Sequence, residues 1–174
     1  DRLDALIGAN GGGLDTGFVS TPHLLDMLAD HGHEDRAWQL LFRTESPSWL
    51  YQVAHGATTI WENWNAIRPD GTVTASSYNH YALGAVGDWM YRRIGGLRPA
   101  APGWRAIEYA PGVNCGLDWA ECSHETPFGL AACKWERGEG GVRVEVTVPY
   151  GVSAVLRLPG LERELAPGAH TFIV

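Results

Sequence analysis

The stretch Gly95-Gly96-Leu97-Arg98-Pro99 separates two parts of the sequence that follow different periodicities. Before it, apolar residues recur at helical spacing, most regularly between Ala82 and Met90. After it, apolar and polar residues alternate, most regularly in the run 142–148, where valines are separated by Arg, Glu and Thr. The sequence therefore predicts an α+β chain of two parts, with a helical part over residues 1–96 and a β-rich part over residues 97–174.

Several helices are predicted in the first part. Thr21-Pro22 is typical of a helix start, and the apolar pattern that follows it ends at Asp30-His31-Gly32. A second helix is predicted from about Asp35 until just before Ser46-Pro47, because the residue before proline disfavours helical backbone. Ser48 is a candidate N-cap for a third short helix.

The longest helical pattern predicts a helix from about Asn79 to Arg93. Ser77 or Asn79 is a candidate N-cap for this helix. The segments between the predicted helices are long and rich in Gly, Thr, Ser, Asn and Asp, and loops of this kind usually carry function on a helical scaffold.

The second part is predicted to form an antiparallel β-sandwich, because short alternating runs are separated by turns that contain Gly or Pro. The candidate strands are 107–109, 116–125, 128–136, 142–148, 152–158 and 170–174.

Composition excludes several classes of function. The 174 residues carry a formal net charge of −7 without a block of like charges, which argues against binding to nucleic acid. No apolar run approaches the roughly 20 residues that a membrane-spanning helix needs. The three cysteines, Cys115, Cys122 and Cys133, lack the spacing of a zinc site and are expected to be buried, reduced thiols. No metal or cofactor is predicted, and His31-x-His33 is interpreted as a solvated helix end.

Tryptophan is unusually frequent, with eight residues in the chain and five of them between positions 38 and 89. Indole rings fill a hydrophobic core, and they also pack against the C–H faces of pyranose rings in sugar-binding pockets. Composition alone leaves both interpretations open.

Glu62 is the most notable titratable residue, because it lies between Trp61 and Trp64 in the uncharged stretch that begins at Gly56. Such surroundings can exclude water from a carboxylate. The alternative is a surface glutamate beside two core tryptophans, and the spacing does not decide between the two.

A polar cluster at residues 76–81 precedes the longest helical pattern. Asn79 and His80 in this cluster can hydrogen-bond the hydroxyl groups of a substrate. The alternative is that Ser77 or Asn79 caps the helix and His80 lies on the helix surface.

Five motifs, taken together and in this order, resemble the C-terminal part of bacterial and fungal α-L-rhamnosidases. They are Leu14-Asp15-Thr16-Gly17-Phe18 with Ser20-Thr21-Pro22, Pro47-Ser48-Trp49-Leu50-Tyr51, the run from Gly56 to Trp64, Ser77-Tyr78-Asn79-His80-Tyr81-Ala82, and Thr126-Pro127-Phe128-Gly129.

The resemblance implies an (α/α)6 barrel that removes terminal α-L-rhamnose with inversion and is followed by a β-sandwich. Residues 1–96 supply only about four helical segments, so we expect the C-terminal part of such a barrel, in a fragment of a longer enzyme. Apolar faces left uncovered by a partial barrel are expected to cause self-association.

The resemblance also implies roles for individual residues. Glu62 is expected to be the general base that activates water, with Trp61 and Trp64 as walls of the pocket. His80 is expected to contact the hydroxyls of a rhamnose-containing glycoside, with Asn79 placed to orient it. The general acid is expected outside this chain, so that the isolated chain is inactive.

Two other interpretations remain open at this stage. In the first, the chain is a non-catalytic carbohydrate-binding module. In the second, it is a structural remnant in which the tryptophans only fill the core. The position of Glu62 discriminates between catalysis and the structural remnant, because catalysis requires this carboxylate in an open cleft, whereas a remnant allows it to face solvent or a salt bridge.

Overall fold

The computed structural model describes residues 1–174. The chain forms two compact units, Asp1–Gly87 and Asp88–Val174, and each is described by itself. The first unit is built from helices and long loops, whereas strands dominate the second. None of the helices has the length and apolar character needed to cross a membrane.

Apart from a 3-10 turn at Pro102–Trp104, the helical segments lie before Gly96. They are α1 (Arg2–Ala9), α2 (Thr21–Asp30), α3 (Glu34–Phe42), α4 (Trp49–Ala54), a 3-10 turn (Ala82–Ala85), α5 (Val86–Met90) and a π turn (Tyr91–Gly95). The helices predicted from Thr21-Pro22, near Asp35 and after Ser48 are confirmed as α2, α3 and α4.

Local chemistry explains the bounds of these helices. Pro22 lies in the first turn of α2, where its missing N–H is not needed. Gly32 follows α2 with a φ of 82°, in the left-handed region that glycine adopts without strain. Ser48 caps α4, since its hydroxyl accepts a hydrogen bond from the N–H of Tyr51 at 3.1 Å.

The longest predicted helix begins later than expected. Residues 79–81 are not helical, and the helical segment runs from Ala82 to Gly95 in three geometries. The reason is tertiary, because the N–H of His80 donates to the carbonyl of Ile60 at 2.8 Å. Neither Ser77 nor Asn79 is the N-cap; Tyr81 occupies that position without a side-chain hydrogen bond.

The β unit contains eight strands in two four-stranded sheets. The strands are β1 (Leu97–Pro99), β2 (Ala106–Tyr109), β3 (Trp119–Thr126), β4 (Gly129–Gly138), β5 (Gly141–Val148), β6 (Ser153–Leu158), β7 (Leu161–Leu165) and β8 (Gly168–Ile173). The sheets have the strand orders β1-β2-β6-β7 and β3-β4-β5-β8. The expectation of a purely antiparallel arrangement is wrong at one place, because β2 and β6 pair in parallel.

The core of the β unit lies between its two sheets. Tyr109 on β2 is fully buried, and its hydroxyl donates to the carbonyl of Thr147 on β5 at 2.6 Å. Cys122 and Cys133 face each other across β3 and β4 as buried thiols, Cys115 is also buried, and no disulfide joins any of the three. The prediction of three buried, reduced cysteines is therefore confirmed.

Candidate active site

An irregular hairpin, residues 60–80, carries most of the predicted site. Its two arms are joined by backbone hydrogen bonds between Ile60 and His80, Glu62 and Ser77, Ala66 and Thr74, and Arg68 and Thr72. The turn at its tip contains Gly71 with a φ of 82°. We call this segment the 60–80 hairpin. It places Glu62 on one arm and Asn79 and His80 on the other.

Glu62 is half-buried and is held by backbone groups rather than by a cation. Its Oε2 accepts a hydrogen bond from the N–H of Ser77 at 3.0 Å. Its own N–H donates to the carbonyl of Ser77, also at 3.0 Å. No Lys, Arg or His side chain forms an ion pair with Glu62, and its Oε1 makes no hydrogen bond within the chain. The carboxylate therefore keeps one oxygen available to a water molecule.

The two flanking tryptophans, which the family resemblance implies to be walls of the pocket, are buried to different extents. Trp61 is only 2% exposed, and its ring meets Tyr78 edge to face at a centroid distance of 5.6 Å. Trp64 is half-buried and packs edge to face against Trp49 at 5.3 Å. Both indoles thereby fix the backbone on either side of Glu62.

Hydroxyl groups of two tyrosines brace the 60–80 hairpin from within. Tyr78 places its hydroxyl 3.0 Å from the carbonyl oxygens of both Ala66 and Thr74. Tyr51 on α4 donates to the carbonyl of Ile67 at 2.8 Å. These bonds tie the hairpin to itself and to the helix beneath it.

Gln52 is a site residue that sequence reasoning missed. It is fully buried, and its Oε1 accepts a hydrogen bond from the N–H of Trp61 at 3.1 Å, one residue before Glu62. Its Nε2 has no hydrogen-bond partner within the chain. The sequence gives only a weak indication of this role, namely a single amide side chain in the otherwise apolar α4.

His80 lies against two aromatic rings. Its imidazole stacks on Phe18 with a centroid distance of 4.6 Å, and on Tyr81 with a distance of 5.2 Å. The Phe18 contact brings the loop before α2 to the 60–80 hairpin. That loop is anchored by Thr21, whose hydroxyl lies 2.9 Å from the carbonyl oxygen of Gly17. Asn79 is exposed beside His80.

Neither Asp15 nor Asp70, the other acidic residues of the matched motifs and loops, forms a hydrogen bond with Glu62. Asp70 occupies the turn of the hairpin, where the N–H of Thr72 donates to its carboxylate at 2.9 Å and lowers the pKa of this carboxyl. Asp15 is exposed. No group of three or more His, Cys, Asp or Glu residues is arranged to hold a metal ion.

Both parts of the chain match families of known proteins. Residues 1–94 match the bacterial alpha-L-rhamnosidase 6 hairpin glycosidase domain, and residues 96–172 match the bacterial alpha-L-rhamnosidase C-terminal domain. An α-L-rhamnosidase of Streptomyces avermitilis is 38% identical over 177 residues, which cover 99% of this chain and 17% of the relative. An α-L-rhamnosidase of Formosa agariphila is 40% identical over 149 residues, which cover 84% of this chain and 16% of the relative.

Solved structures agree with this assignment. The crystal structure of Streptomyces avermitilis α-L-rhamnosidase complexed with L-rhamnose aligns with 100% of this chain at a TM-score of 0.93 and 34% identity. Native α-L-rhamnosidase from Aspergillus terreus aligns with 98% of it at a TM-score of 0.89 and 37% identity. The aligned segments are 19% and 20% of those two chains, so this chain spans about a fifth of their length. The chain belongs to the bacterial α-L-rhamnosidase family.

Proposed function

We propose that this chain forms part of an inverting α-L-rhamnosidase and supplies its general base, Glu62. One observation carries the proposal: the Glu62 carboxylate is oriented by the N–H of Ser77 while its second oxygen stays uncommitted. A carboxylate that is fixed without a neighbouring cation can accept a proton from water. The family assignment supplies the reaction class.

The proposed reaction uses two carboxyl groups on opposite sides of the sugar. A carboxylic acid gives its proton to the glycosidic oxygen, and the C–O bond to the leaving group breaks. Glu62 takes a proton from a water molecule while the water oxygen bonds to the anomeric carbon from the other face, so the configuration inverts. Inverting enzymes hold their two carboxyl groups about 6.5–9.5 Å apart to accommodate this water.

We assign the general acid to a part of the enzyme outside these 174 residues. The hydrogen bonds of Glu62 within the chain go to Ser77 and not to a second carboxyl group, and the relatives are about five to six times as long as the matched segment. In this proposal residues 1–96 are the C-terminal part of an (α/α)6 barrel and residues 97–174 are the β-sandwich that follows it. The chain alone is then inactive.

The remaining site residues have distinct proposed roles. His80 and the exposed Asn79 hydrogen-bond rhamnose hydroxyls, and the partly accessible Trp64 borders the sugar. Trp61 supports Glu62 from the core, because its 2% exposure leaves no face for a ligand. The proposed substrate is a glycoside with a terminal α-L-rhamnose.

The helical unit also exposes apolar side chains that a complete barrel would cover. Met27 on α2 is 50% exposed and Val53 on α4 is 61% exposed. We therefore propose that the isolated chain self-associates. Sedimentation over a tenfold concentration range tests this, and a monomer at every concentration contradicts it.

The decisive experiment replaces Glu62 by Gln in the rhamnosidase that contains this chain, with an aryl α-L-rhamnoside as substrate. We expect kcat to fall by at least about a thousandfold with unchanged circular dichroism, because the amide cannot accept the proton. Glu45→Gln is the matched control, since Glu45 is exposed outside the hairpin and should leave kcat unchanged.

Two further measurements sharpen this test. Azide needs no deprotonation, so it should restore turnover to a Glu62→Ala variant and give an inverted glycosyl azide. The isolated chain should release no aryl alcohol from the same substrate. A Glu62→Gln enzyme with nearly full activity would remove Glu62 from the base role, and release by the isolated chain would show that it contains its own acid.

A further inference from the structure

We propose that Phe18 and Tyr81 are positioning residues that hold the His80 ring in the orientation in which Nδ1 accepts a hydrogen bond and Nε2 carries the proton. The Nε2–H then serves as a fixed hydrogen-bond donor to a hydroxyl of the substrate. The last step rests on the proposed function, whereas the tautomer and its dependence on the two rings do not.

The tautomer follows from one hydrogen bond. The N–H of Ala82 donates to Nδ1 of His80 at 3.3 Å. A nitrogen that accepts a hydrogen bond must carry a lone pair, so the proton of the neutral ring is on Nε2. The same bond satisfies an N–H at the start of the 3-10 turn, which links the state of the ring to the start of the helical segment.

The plane of the imidazole is set by its two aromatic neighbours. The interplanar angle is 23° with Phe18 and 12° with Tyr81, so all three rings are close to parallel. The backbone N–H of His80 is bound to Ile60 at 2.8 Å. Rotation of the ring out of this plane would break both stacking contacts, and the direction of Nε2–H is therefore restricted.

The exposure of the two rings points to a role beyond packing. Phe18 is 43% exposed and Tyr81 is 88% exposed. Burial of apolar area at these two rings therefore stabilises the fold less than it would for fully buried rings. Phe18 comes from a loop 62 residues earlier in the chain, and it contacts the imidazole of His80, three residues after Ser77. Preorganising a donor in this way lowers the entropy lost when a ligand binds.

Nitrogen-15 NMR of the histidine rings in the 174-residue chain tests the first part. In alkaline buffer, where imidazoles are neutral, we expect the shifts of His80 to report a protonated Nε2 and an unprotonated Nδ1. Phe18→Leu and Tyr81→Leu should move these shifts toward the average of two exchanging tautomers, and Tyr81→Phe should keep the native pattern. Val19→Ala is the control, because Val19 is 87% exposed beside Phe18 and should change nothing.

Kinetics of the rhamnosidase that contains the chain test the second part. Phe18→Leu and Tyr81→Leu should each raise KM about tenfold, the effect of one weakened hydrogen bond, with kcat changed by less than about threefold. Tyr81→Phe, which keeps the aromatic ring, should keep the native KM. A loss confined to stability, with KM unchanged, would overturn the positioning role.

The two proposals fail in different ways. A His80 proton on Nδ1, or shifts that ignore the loss of both rings, would refute the tautomer assignment whatever Glu62 does. Full activity of Glu62→Gln would refute the general base while leaving the NMR result intact.

Discussion

Glu62 and Ser77 are joined twice, since each residue donates its backbone N–H to an oxygen of the other at 3.0 Å. The first bond pairs the two arms of the 60–80 hairpin, and the second holds the Glu62 side chain across the same pair. One of the two bonds thus fixes the backbone and the other fixes the rotamer of the carboxylate. Such fixed geometry suits the proposed role of Glu62, because a general base must meet its water in a narrow range of positions.

Replacement of Ser77 by Pro removes the N–H that holds Glu62, and Ser77→Ala keeps it. A hydrogen bond to a charged group contributes about 1.5–3 kcal/mol, so kcat of the rhamnosidase that contains this chain should fall about tenfold to a hundredfold in Ser77→Pro. The Ala variant loses only a hydroxyl that contacts the backbone of Asn79, and it should stay within about threefold of the native enzyme. Circular dichroism checks that both are folded. Equal kcat values for the two variants would contradict the role of the Ser77 N–H.

Local patterns predicted the elements whose bounds depend on local chemistry. Helix α4 begins after the Ser48 cap, and β5 follows the valine alternation. The start of the longest helix was misjudged because the bond from His80 to Ile60 overrides helical propensity, and that bond connects residues 20 apart. The parallel pairing of β2 with β6 was missed for a related reason, since alternation reveals a strand but not its partner.

The same distinction applies to the site. The motifs of the sequence predict Glu62 and His80 as site residues, and the structure adds what contacts them. Gln52 and Phe18 act through contacts across 9 and 62 residues, and neither residue type signals such a contact by itself. Contacts between segments that are distant in sequence therefore determine which residues support the site.

Gln52→Met tests the support of the segment that contains Glu62. The variant fills a similar volume but leaves the N–H of Trp61 without its acceptor, which costs about 1–3 kcal/mol in a buried site. Removal of the unpaired Nε2 offsets part of this cost. We expect the free energy of unfolding to fall by about 1 kcal/mol, measured by urea denaturation followed by tryptophan fluorescence. Gln39→Met, on the exposed side of α3, loses only an exposed hydrogen bond from Arg36 and should have little effect; an equal loss there would show that the assay reports something other than the Trp61 bond.

The buried thiols predict how stability depends on pH. Burial raises the pKa of Cys122 from 9.0 to about 11, and burial also raises the pKa values of Cys133 and Tyr109. The folded chain therefore keeps protons that the unfolded chain releases, so this contribution to stability is complete below pH 9 and is lost as the pH rises toward 11. Urea denaturation across this range should show a falling free energy of unfolding. The double variant Cys122→Ala, Cys133→Ala should show a shallower decline, and an identical slope would exclude the thiols as its cause.

We expect that no other residue can replace Gly96, because of both its positive φ and the close approach of the Pro111 backbone. Its φ is 77°, and a Cβ on this residue would lie 2.1 Å from the backbone nitrogen of Pro111. Gly160 provides a matched control, because its φ is 75° but a Cβ there would meet no atom within 4 Å. Both alanine variants incur the left-handed penalty of about 1–2 kcal/mol, and only Gly96→Ala also forces two backbone segments apart.

We therefore expect Gly160→Ala to lower the free energy of unfolding by about 1 kcal/mol and Gly96→Ala by more than about 4 kcal/mol, or to prevent folding of the β unit. Urea denaturation measures the first variant. Limited proteolysis measures the second if it fails to fold, since the β unit would then be degraded in the variant and protected in the native chain. The carbonyl oxygen of Gly96 accepts a hydrogen bond from the N–H of Ala110 at 2.7 Å, which keeps the Pro111 backbone against Gly96 and leaves little room for relaxation. Similar losses in the two variants would mean that the chain at Pro111 can move aside, and that the positive φ alone selects glycine at position 96.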